Sequence, residues 1–183
     1  MTAAVLLCAG GSTRFDQDRH KLLATFRGRP LILWALESVE AAKFAQVIVV
    51  VGPADLSDVL GTQVVVDNPL WAAGLATSLC AGVATAKELG HDVVVVGLGD
   101  QPLIPPSAWL AVANADSPIA VATFGGRRTP PVRLARKVWP LLPTTGDVGA
   151  RELMRIRPDL VREVECDGEP LDIDTVEDLG WRD

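Results

Sequence analysis

The chain has 183 residues, of which 49% are hydrophobic and 22% charged, and its formal net charge is −6. This length and composition predict one globular domain over residues 1–183 and exclude a disordered or fibrous chain. An acidic chain has no basic excess to attract phosphate backbones or anionic lipids, so we expect neither nucleic acid nor a membrane as a partner.

The cysteines and the first apolar segment indicate the compartment. Cys8, Cys80 and Cys166 are odd in number and widely spaced, which is typical of reduced thiols and disfavours a zinc site. Residues 3–9 form an apolar run that is too short to cross a membrane, and no basic residue precedes it. We therefore expect a cytoplasmic protein.

Short apolar runs alternate with helical patterns along the chain. This alternation predicts an α/β fold, with a mostly parallel, twisted sheet that helices cover on both faces. Strands are predicted at residues 3–8, 46–51, 63–67, 92–98, 118–123 and 160–165. Helices are predicted after Pro30, at 55–60, up to Leu89 with Thr77 or Ser78 as N-cap, at 106–114, within 134–142, and after Asp147 as N-cap.

The first predicted strand ends in a run of small residues, Ala9-Gly10-Gly11-Ser12-Thr13-Arg14. Consecutive backbone N–H groups in such a turn form a concavity that suits phosphate oxygens, and Arg14 and Lys21 supply cations nearby. The segment therefore favours a nucleoside triphosphate site. A glycine-rich corner without a ligand is the alternative, since small-residue turns are common and this is not the G-x-x-x-x-G-K-[ST] loop.

Acidic residues at two other places suit a metal ion. Asp100 directly follows an apolar strand, and in open α/β sheets ligands gather at the carboxyl ends of strands. Asp172 and Asp174 would share one face of an extended segment, because side chains alternate with period two. Mg²⁺ prefers one or two carboxylates together with substrate phosphate oxygens. We expect Asp100 and Asp174 as the ligands, with Asp172 as the alternative to Asp174 and a turn or helix cap as the structural alternative.

Four segments together resemble one known family. They are L-x-A-G-G-S-x-R with a later K-L-L (residues 7–14 and 21–23), N-P-L-W-x-x-G-L-x-x-S-L (68–79), G-D-Q-P (99–102) and D-I-D-T (172–175). The series is similar to the molybdenum cofactor cytidylyltransferase (CTP:molybdopterin cytidylyltransferase) family, within the molybdopterin-type NTP-transferase superfamily. The resemblance implies a Rossmann-like nucleotide-diphospho-sugar transferase fold of the GT-A-like type.

The resemblance also assigns roles to residues. It implies Arg14, Lys21 and Asp100 as catalytic residues and Mg²⁺ on Asp100 and Asp174. It places the nucleotide at Leu7, Ala9, Gly10, Gly11, Ser12, Arg14, Lys21, Asn68, Gly74 and Ser78. For the acceptor it suggests Gln101, Arg127, Arg128 and Asp147. Helix capping for Ser78 and Asp147, and a solvated charge pair for the two arginines, are the structural alternatives.

The implied reaction is transfer of CMP from CTP to the terminal phosphate of molybdopterin, with release of pyrophosphate. One alternative is the same chemistry with GTP or with another phosphorylated acceptor. An alternative of another class is a non-catalytic chaperone that binds the cofactor for a molybdoenzyme. In either case the expected partners are small molecules, with a molybdoenzyme or its maturation factor as the candidate protein partner.

Overall fold

The structure is a computed structural model that describes residues 1–12, 15 and 20–180. Its main sheet has seven strands in the order β5-β4-β1-β6-β8-β7-β9, and β2 and β3 form a separate two-stranded hairpin. The strands are β1 (Thr2–Cys8), β2 (Thr25–Phe26), β3 (Arg29–Pro30), β4 (Gln46–Val51), β5 (Val64–Asp67), β6 (Val93–Leu98), β7 (Ile119–Phe124), β8 (Arg127–Ala135) and β9 (Val161–Glu165). The α-helices are α1 (Leu31–Ala41), α2 (Leu75–Glu88), α3 (Pro106–Ala113) and α4 (Ala150–Ile156).

The predicted α/β class is confirmed. β1, β4, β5 and β6 run parallel to one another, and β9 is parallel to β7. Within the described main sheet, only the pairings of β8 with β6 and with β7 are antiparallel. Residues 3–8 of β1 are all buried, because this strand lies inside the sheet and both of its faces are covered.

Two hydrophobic layers enclose the sheet. Helices α1 and α3 cover one face, where Leu31 and Trp109 are buried. Helices α2 and α4 cover the other face, where Leu79 and Leu153 are buried. None of the described helices is both long enough and apolar enough to cross a bilayer.

Strand β8 was not predicted by the sequence. Gly125 and Gly126 have the positive φ of a turn, and β8 begins directly after them at Arg127. The two prolines of β8, Pro130 and Pro131, lie where the register with β7 shifts. A proline cannot donate to a strand ladder, so a strand tolerates it at such an irregularity, and the sequence pattern is interrupted there.

Several helix predictions were wrong in detail. Residues 55–60 form turns instead of a helix, and the Asp55 carboxylate accepts hydrogen bonds from the backbone and hydroxyl of Ser57. The N-cap of α2 is Gly74 and that of α4 is Gly149, so neither a hydroxyl nor Asp147 caps these helices. The predicted helix within 134–142 is a 3₁₀ turn over Arg136–Leu141. Glycine with positive φ serves at both α-helix starts because the chain must turn sharply there.

Candidate active site

The glycine-rich loop begins at the carboxyl edge of the parallel strands. Cys8 pairs with Val51 and Leu7 with Leu98, so β1, β4 and β6 end at the same level. The backbone N–H of Lys21 donates to the Ser12 hydroxyl at 3.2 Å, which ties the start of the loop to the residue that follows it. Arg14, predicted to bind phosphate, lies outside the described residues.

The most strongly charged feature is a cluster in which one ammonium meets two carboxylates. Lys21 Nζ lies 2.5 Å from Asp100 Oδ2 and 3.0 Å from Asp174 Oδ1. Its side chain is only 11% exposed, and the carboxylates are 20% and 31% exposed. Burial lowers the pKa of Lys21, but the two carboxylates outweigh it and hold the pKa above its ordinary value. Two carboxylates that follow Lys21 by 79 and 153 residues in the sequence therefore converge on its ammonium.

Backbone contacts hold the two acids in place. The N–H of Ile173, a fully buried residue, donates to the Asp100 carbonyl at 3.1 Å. The Asp178 carboxylate accepts hydrogen bonds from the N–H groups of Asp174 and Thr175 at 2.9 and 2.8 Å. The Asp178 side chain thus caps the backbone of residues 174–175, and a 3₁₀ turn follows at Glu177–Gly180.

The third carboxylate, Asp172, has a different partner. Gln101 Nε2 donates to Asp172 Oδ1 at 2.8 Å and to the Thr129 hydroxyl at 3.0 Å. Burial and the nearby charge of Asp100 raise the pKa of Asp172. Between the two acids left open by the sequence, Asp174 is the one that meets Lys21. Within the described residues, Asp100 Oδ1 and Gln101 Oε1 are buried without a hydrogen-bond partner.

A pocket of about 330 Å³ opens beside this cluster. Nine of the predicted site residues line it: Leu7, Ala9, Gly10, Gly11, Lys21, Gly74, Ser78, Asp100 and Asp147. Asn68 is buried behind the wall, where its Nδ2 donates to the hydroxyls of Thr77 and Ser78 at 2.9 Å each. Asn68 therefore positions the start of α2, and Ser78 lines the pocket.

A second cavity of about 390 Å³ lies next to the first. Both cavities are lined by Leu7, Leu75, Leu98 and Asp147. Of the four residues predicted to meet the acceptor, Arg128 and Asp147 line the second cavity. Gln101 lies beside it, bonded to Thr129. Arg127 instead donates to the Pro170 carbonyl at 2.7 Å, because successive side chains of a strand face opposite sides.

The sequence of residues 4–164 matches the family described as the MobA-like NTP transferase domain. The chain belongs to this family. It is accordingly a nucleotidyltransferase of the MobA-like type. The match does not separate a cytidylyltransferase branch from a guanylyltransferase branch.

The chain is similar to proteins with different names. A protein of Paenarthrobacter nicotinovorans named nicotine blue oxidoreductase is 31% identical over 96% of this chain and 93% of its own length. A protein of Thermococcus gammatolerans named probable molybdenum cofactor guanylyltransferase is 39% identical over 55% of this chain and 49% of its own length. Rv0371c from Mycobacterium tuberculosis, crystallised in complex with manganese, is 28% identical with a TM-score of 0.77, covering 97% of this chain and 95% of that one.

Two residues of this MobA-like domain were missed by the sequence. Leu22 N–H donates to Nδ1 of His20, which assigns the ring proton to Nε2, and this nitrogen donates to the Gly10 carbonyl at 2.7 Å. Burial lowers the pKa of His20. Trp71 lines the first pocket. Its ring packs against Gly11 so closely that a Cβ on Gly11 would lie 2.5 Å from it. The only sequence signal that could have placed His20 at the site was its position beside Lys21. Trp71 belongs to the 68–79 motif, but the motif alone did not indicate that its ring lines the pocket.

Proposed function

We propose that the domain transfers CMP from CTP to the terminal phosphate of molybdopterin, releasing pyrophosphate, with Mg²⁺ bound at Asp100 and Asp174. The observation that carries the proposal is the convergence of Lys21, Asp100 and Asp174 at the edge of a glycine-lined pocket. A triphosphate needs positive charge and backbone donors together, and this edge of the sheet offers both. The choice of CTP rests on the sequence resemblance in residues 68–79 and at Gln101.

The donor set fits a divalent cation. Asp100 and Asp174 already direct one oxygen each to a single cation, and Asp100 keeps a buried oxygen without a partner among the described residues. The described residues contain no group of three or more His, Cys, Asp or Glu that could hold a metal alone. Two carboxylates completed by substrate phosphate oxygens are what Mg²⁺ commonly accepts. The manganese complex of Rv0371c supports a divalent metal. When bound, the metal would neutralise charge on those phosphate oxygens.

The protein's own groups would bind and orient the reactants. The N–H groups of residues 9–12 would contact the triphosphate, and Lys21 would leave the carboxylates to reach its phosphates. An oxygen of the acceptor phosphate forms the new bond to the α-phosphorus of CTP. At the same time the bond breaks between this phosphorus and the oxygen that bridges it to the β-phosphorus. Pyrophosphate departs with the electron pair. An acceptor phosphate is already ionised near neutral pH, so no general base is required.

Two other functions are favoured by specific observations. Transfer of GMP from GTP is favoured by the relative named guanylyltransferase, whose match includes 55% of this chain. Oxidoreductase activity is favoured by the relative named nicotine blue oxidoreductase, which aligns along 96% of the chain. The residues expected to serve phosphate chemistry are present, which disfavours a chaperone without catalysis.

Pyrophosphate release tests the proposal. The protein would be given Mg²⁺, molybdopterin and one nucleotide at a time, with Asp100→Asn and Lys21→Met as the matched inactive variants. We expect release with CTP alone, reduced at least a hundredfold in both variants, since losing one preorganised electrostatic group costs about 3 kcal/mol. Pyrophosphate release with GTP alone would show that GTP, and not CTP, is the nucleotide donor. Consumption of NADH with an aromatic dye, without pyrophosphate release, would favour the oxidoreductase.

A further inference from the structure

We propose that Gln101 is a positioning residue for the metal site: its amide holds Asp172 and so keeps Asp174 within reach of the metal. The role rests on the proposed function, because it concerns the acids expected to bind Mg²⁺ there. The sequence resemblance suggested an acceptor contact for Gln101. Both N–H groups of its amide, however, are used inside the protein.

The segment that carries Asp172 and Asp174 has no regular structure of its own. Residues 166–176 lie between β9 and the 3₁₀ turn at Glu177–Gly180, and they belong to no strand or helix. Individual contacts must therefore fix the place of the carboxylates. One of these contacts is the hydrogen bond from the Ile173 N–H to the Asp100 carbonyl at 3.1 Å.

Gln101 supplies a side-chain contact to the same segment. It directly follows Asp100, and its Nε2 donates to Asp172 at 2.8 Å and to the Thr129 hydroxyl at 3.0 Å. Since Thr129 belongs to β8, the amide joins the irregular segment to a strand of the main sheet. Gln101 is 3% exposed, so water hardly competes for these bonds.

The chemistry of the contact favours an amide at position 101. An ionised carboxylate only accepts hydrogen bonds, so the atom that faces Asp172 has to be the amide nitrogen. A lysine there would also donate, but its charge would oppose the binding of a cation by the neighbouring acids. Gln101 Oε1 is buried without a partner among the described residues, which costs free energy. The two N–H groups are thus what the position requires.

The contact matters most when Lys21 leaves the carboxylates. In the free protein the Lys21 ammonium draws Asp100 and Asp174 together. In the proposed reaction this ammonium moves to the triphosphate, and the two like charges then repel each other. The bond between Gln101 and Asp172 does not involve Lys21, so it persists. Gln101 therefore keeps Asp174 in place after its ammonium partner has moved.

Manganese binding in the Lys21→Met background tests this role without nucleotide or acceptor. Mn²⁺ would be titrated well below the unfolding temperature, and the unbound ion measured by electron paramagnetic resonance. Gln101→Met keeps the length of the side chain but removes the donor, and we expect it to weaken Mn²⁺ binding about tenfold or more. Gln46→Met is the matched control and should change nothing, since Gln46 lies at the amino end of β4, far from the site.

Exchanging the two polar groups distinguishes positioning from a merely structural role. Gln101→Glu alone places a second carboxylate against Asp172 and should also weaken Mn²⁺ binding. Adding Asp172→Asn again gives an amide facing a carboxylate, with the same net charge, and the Thr129 hydroxyl can donate to it. This exchanged pair should return the affinity to within about twofold of that of Lys21→Met. The thermal midpoint of each variant verifies folding.

The outcomes separate this role from the proposed function. Unchanged Mn²⁺ affinity in Gln101→Met, or a folded exchanged pair that does not regain the affinity, would overturn the positioning role and leave the transfer reaction intact. If Lys21→Met bound no Mn²⁺ with Gln101 present, the metal site and the positioning role would both be wrong. Absence of CTP-dependent pyrophosphate release, with the Mn²⁺ effects as expected, would overturn only the nucleotidyl transfer. If Gln101→Met fails to fold, the exchanged pair decides the question.

Discussion

Replacing Lys21 with methionine removes the ammonium but keeps most of the apolar stem. The substitution leaves Asp100 and Asp174 facing each other with 20% and 31% of their side chains exposed. Removing one partner of a fully buried charge pair costs about 3–5 kcal/mol. Because water still reaches both carboxylates, we expect about 2–3 kcal/mol here, after discounting for that exposure. In a chain of this length such a loss lowers the thermal midpoint by roughly 4–12 °C.

Manganese should reverse this loss in the variant. In the native protein the ammonium already occupies the position between the two acids, so the metal without nucleotide must compete with it. We therefore expect Mn²⁺ alone to bind the Lys21→Met variant at least tenfold more tightly than the native protein. At a hundred times its dissociation constant, a bound ion stabilises the folded state by about 2.7 kcal/mol. That gain is enough to restore the native midpoint.

Calorimetric unfolding in EDTA and in MnCl₂ measures both effects. Lys87→Met removes an exposed lysine of α2 and serves as the matched control, which should show neither effect. The reasoning would be refuted if Lys21→Met unfolded at the native temperature in EDTA. It would equally be refuted if Mn²⁺ raised the midpoint of variant and native protein by the same amount.

The pH dependence of this stability has a definite sign. The pKa of Lys21 is raised above its ordinary value in the folded state. The ion pair therefore contributes fully below the unfolded pKa of about 10.4. Its contribution is lost as the pH rises through the folded pKa. The difference in midpoint between native protein and variant should stay constant from pH 7 to 9 and shrink only above that interval.

Three further substitutions probe the walls of the first pocket. The pKa of His20 is lowered by burial, so the stabilising contribution of the neutral ring should be complete above about pH 6.5 and fall as the pH drops below it. In thermal unfolding, His20→Gln should therefore flatten the decline of the midpoint between about pH 7.5 and 5.5. An unaltered slope would argue against a lowered pKa of His20 in the folded state. Gly11→Ala should push the Trp71 ring away, at a cost of about 1–3 kcal/mol, and shift the tryptophan emission; unchanged emission would contradict the close contact. Asn68→Ala removes the donor to two α2 hydroxyls and should cost about 1–3 kcal/mol in urea unfolding, whereas a neutral effect would show that water replaces the amide.

The parallel half of the sheet was predictable because its signal is local. Residues 47–51 and 93–98 are apolar throughout, which is typical of strands buried on both faces, and both lie in strands. The place of Asp100 followed from a general rule, since ligands gather at the carboxyl ends of parallel strands. Asp174 was expected from the D-I-D-T segment, which is irregular in the structure. The 2.5 Å contact of Lys21 with Asp100 needed the folded chain.

The antiparallel half was less predictable because its signal depends on partners far away. Pro130 and Pro131 break the strand pattern of β8, and only the register shift against β7 shows how they are accommodated. Since no strand was predicted in this segment, the sequence could not separate Arg127 from Arg128. Their opposite directions follow from the strand. His20 was overlooked for a similar reason, because its hydrogen bond to Gly10 spans a loop with no periodic pattern.

The antiparallel strand β8 also separates, along the chain, the residues expected to bind the nucleotide from the arginines of the second cavity. Every residue expected to hold phosphates or nucleotide, except Asp174, precedes the end of the loop after β6, while the arginines of the second cavity lie on β8 and α4. In the proposed function, Arg128 and Asp147 of this later half are thus expected to meet the acceptor, and Asp147 also lines the first pocket. We expect substitutions in this later half to change the acceptor specificity while most of the nucleotide-binding residues stay in place.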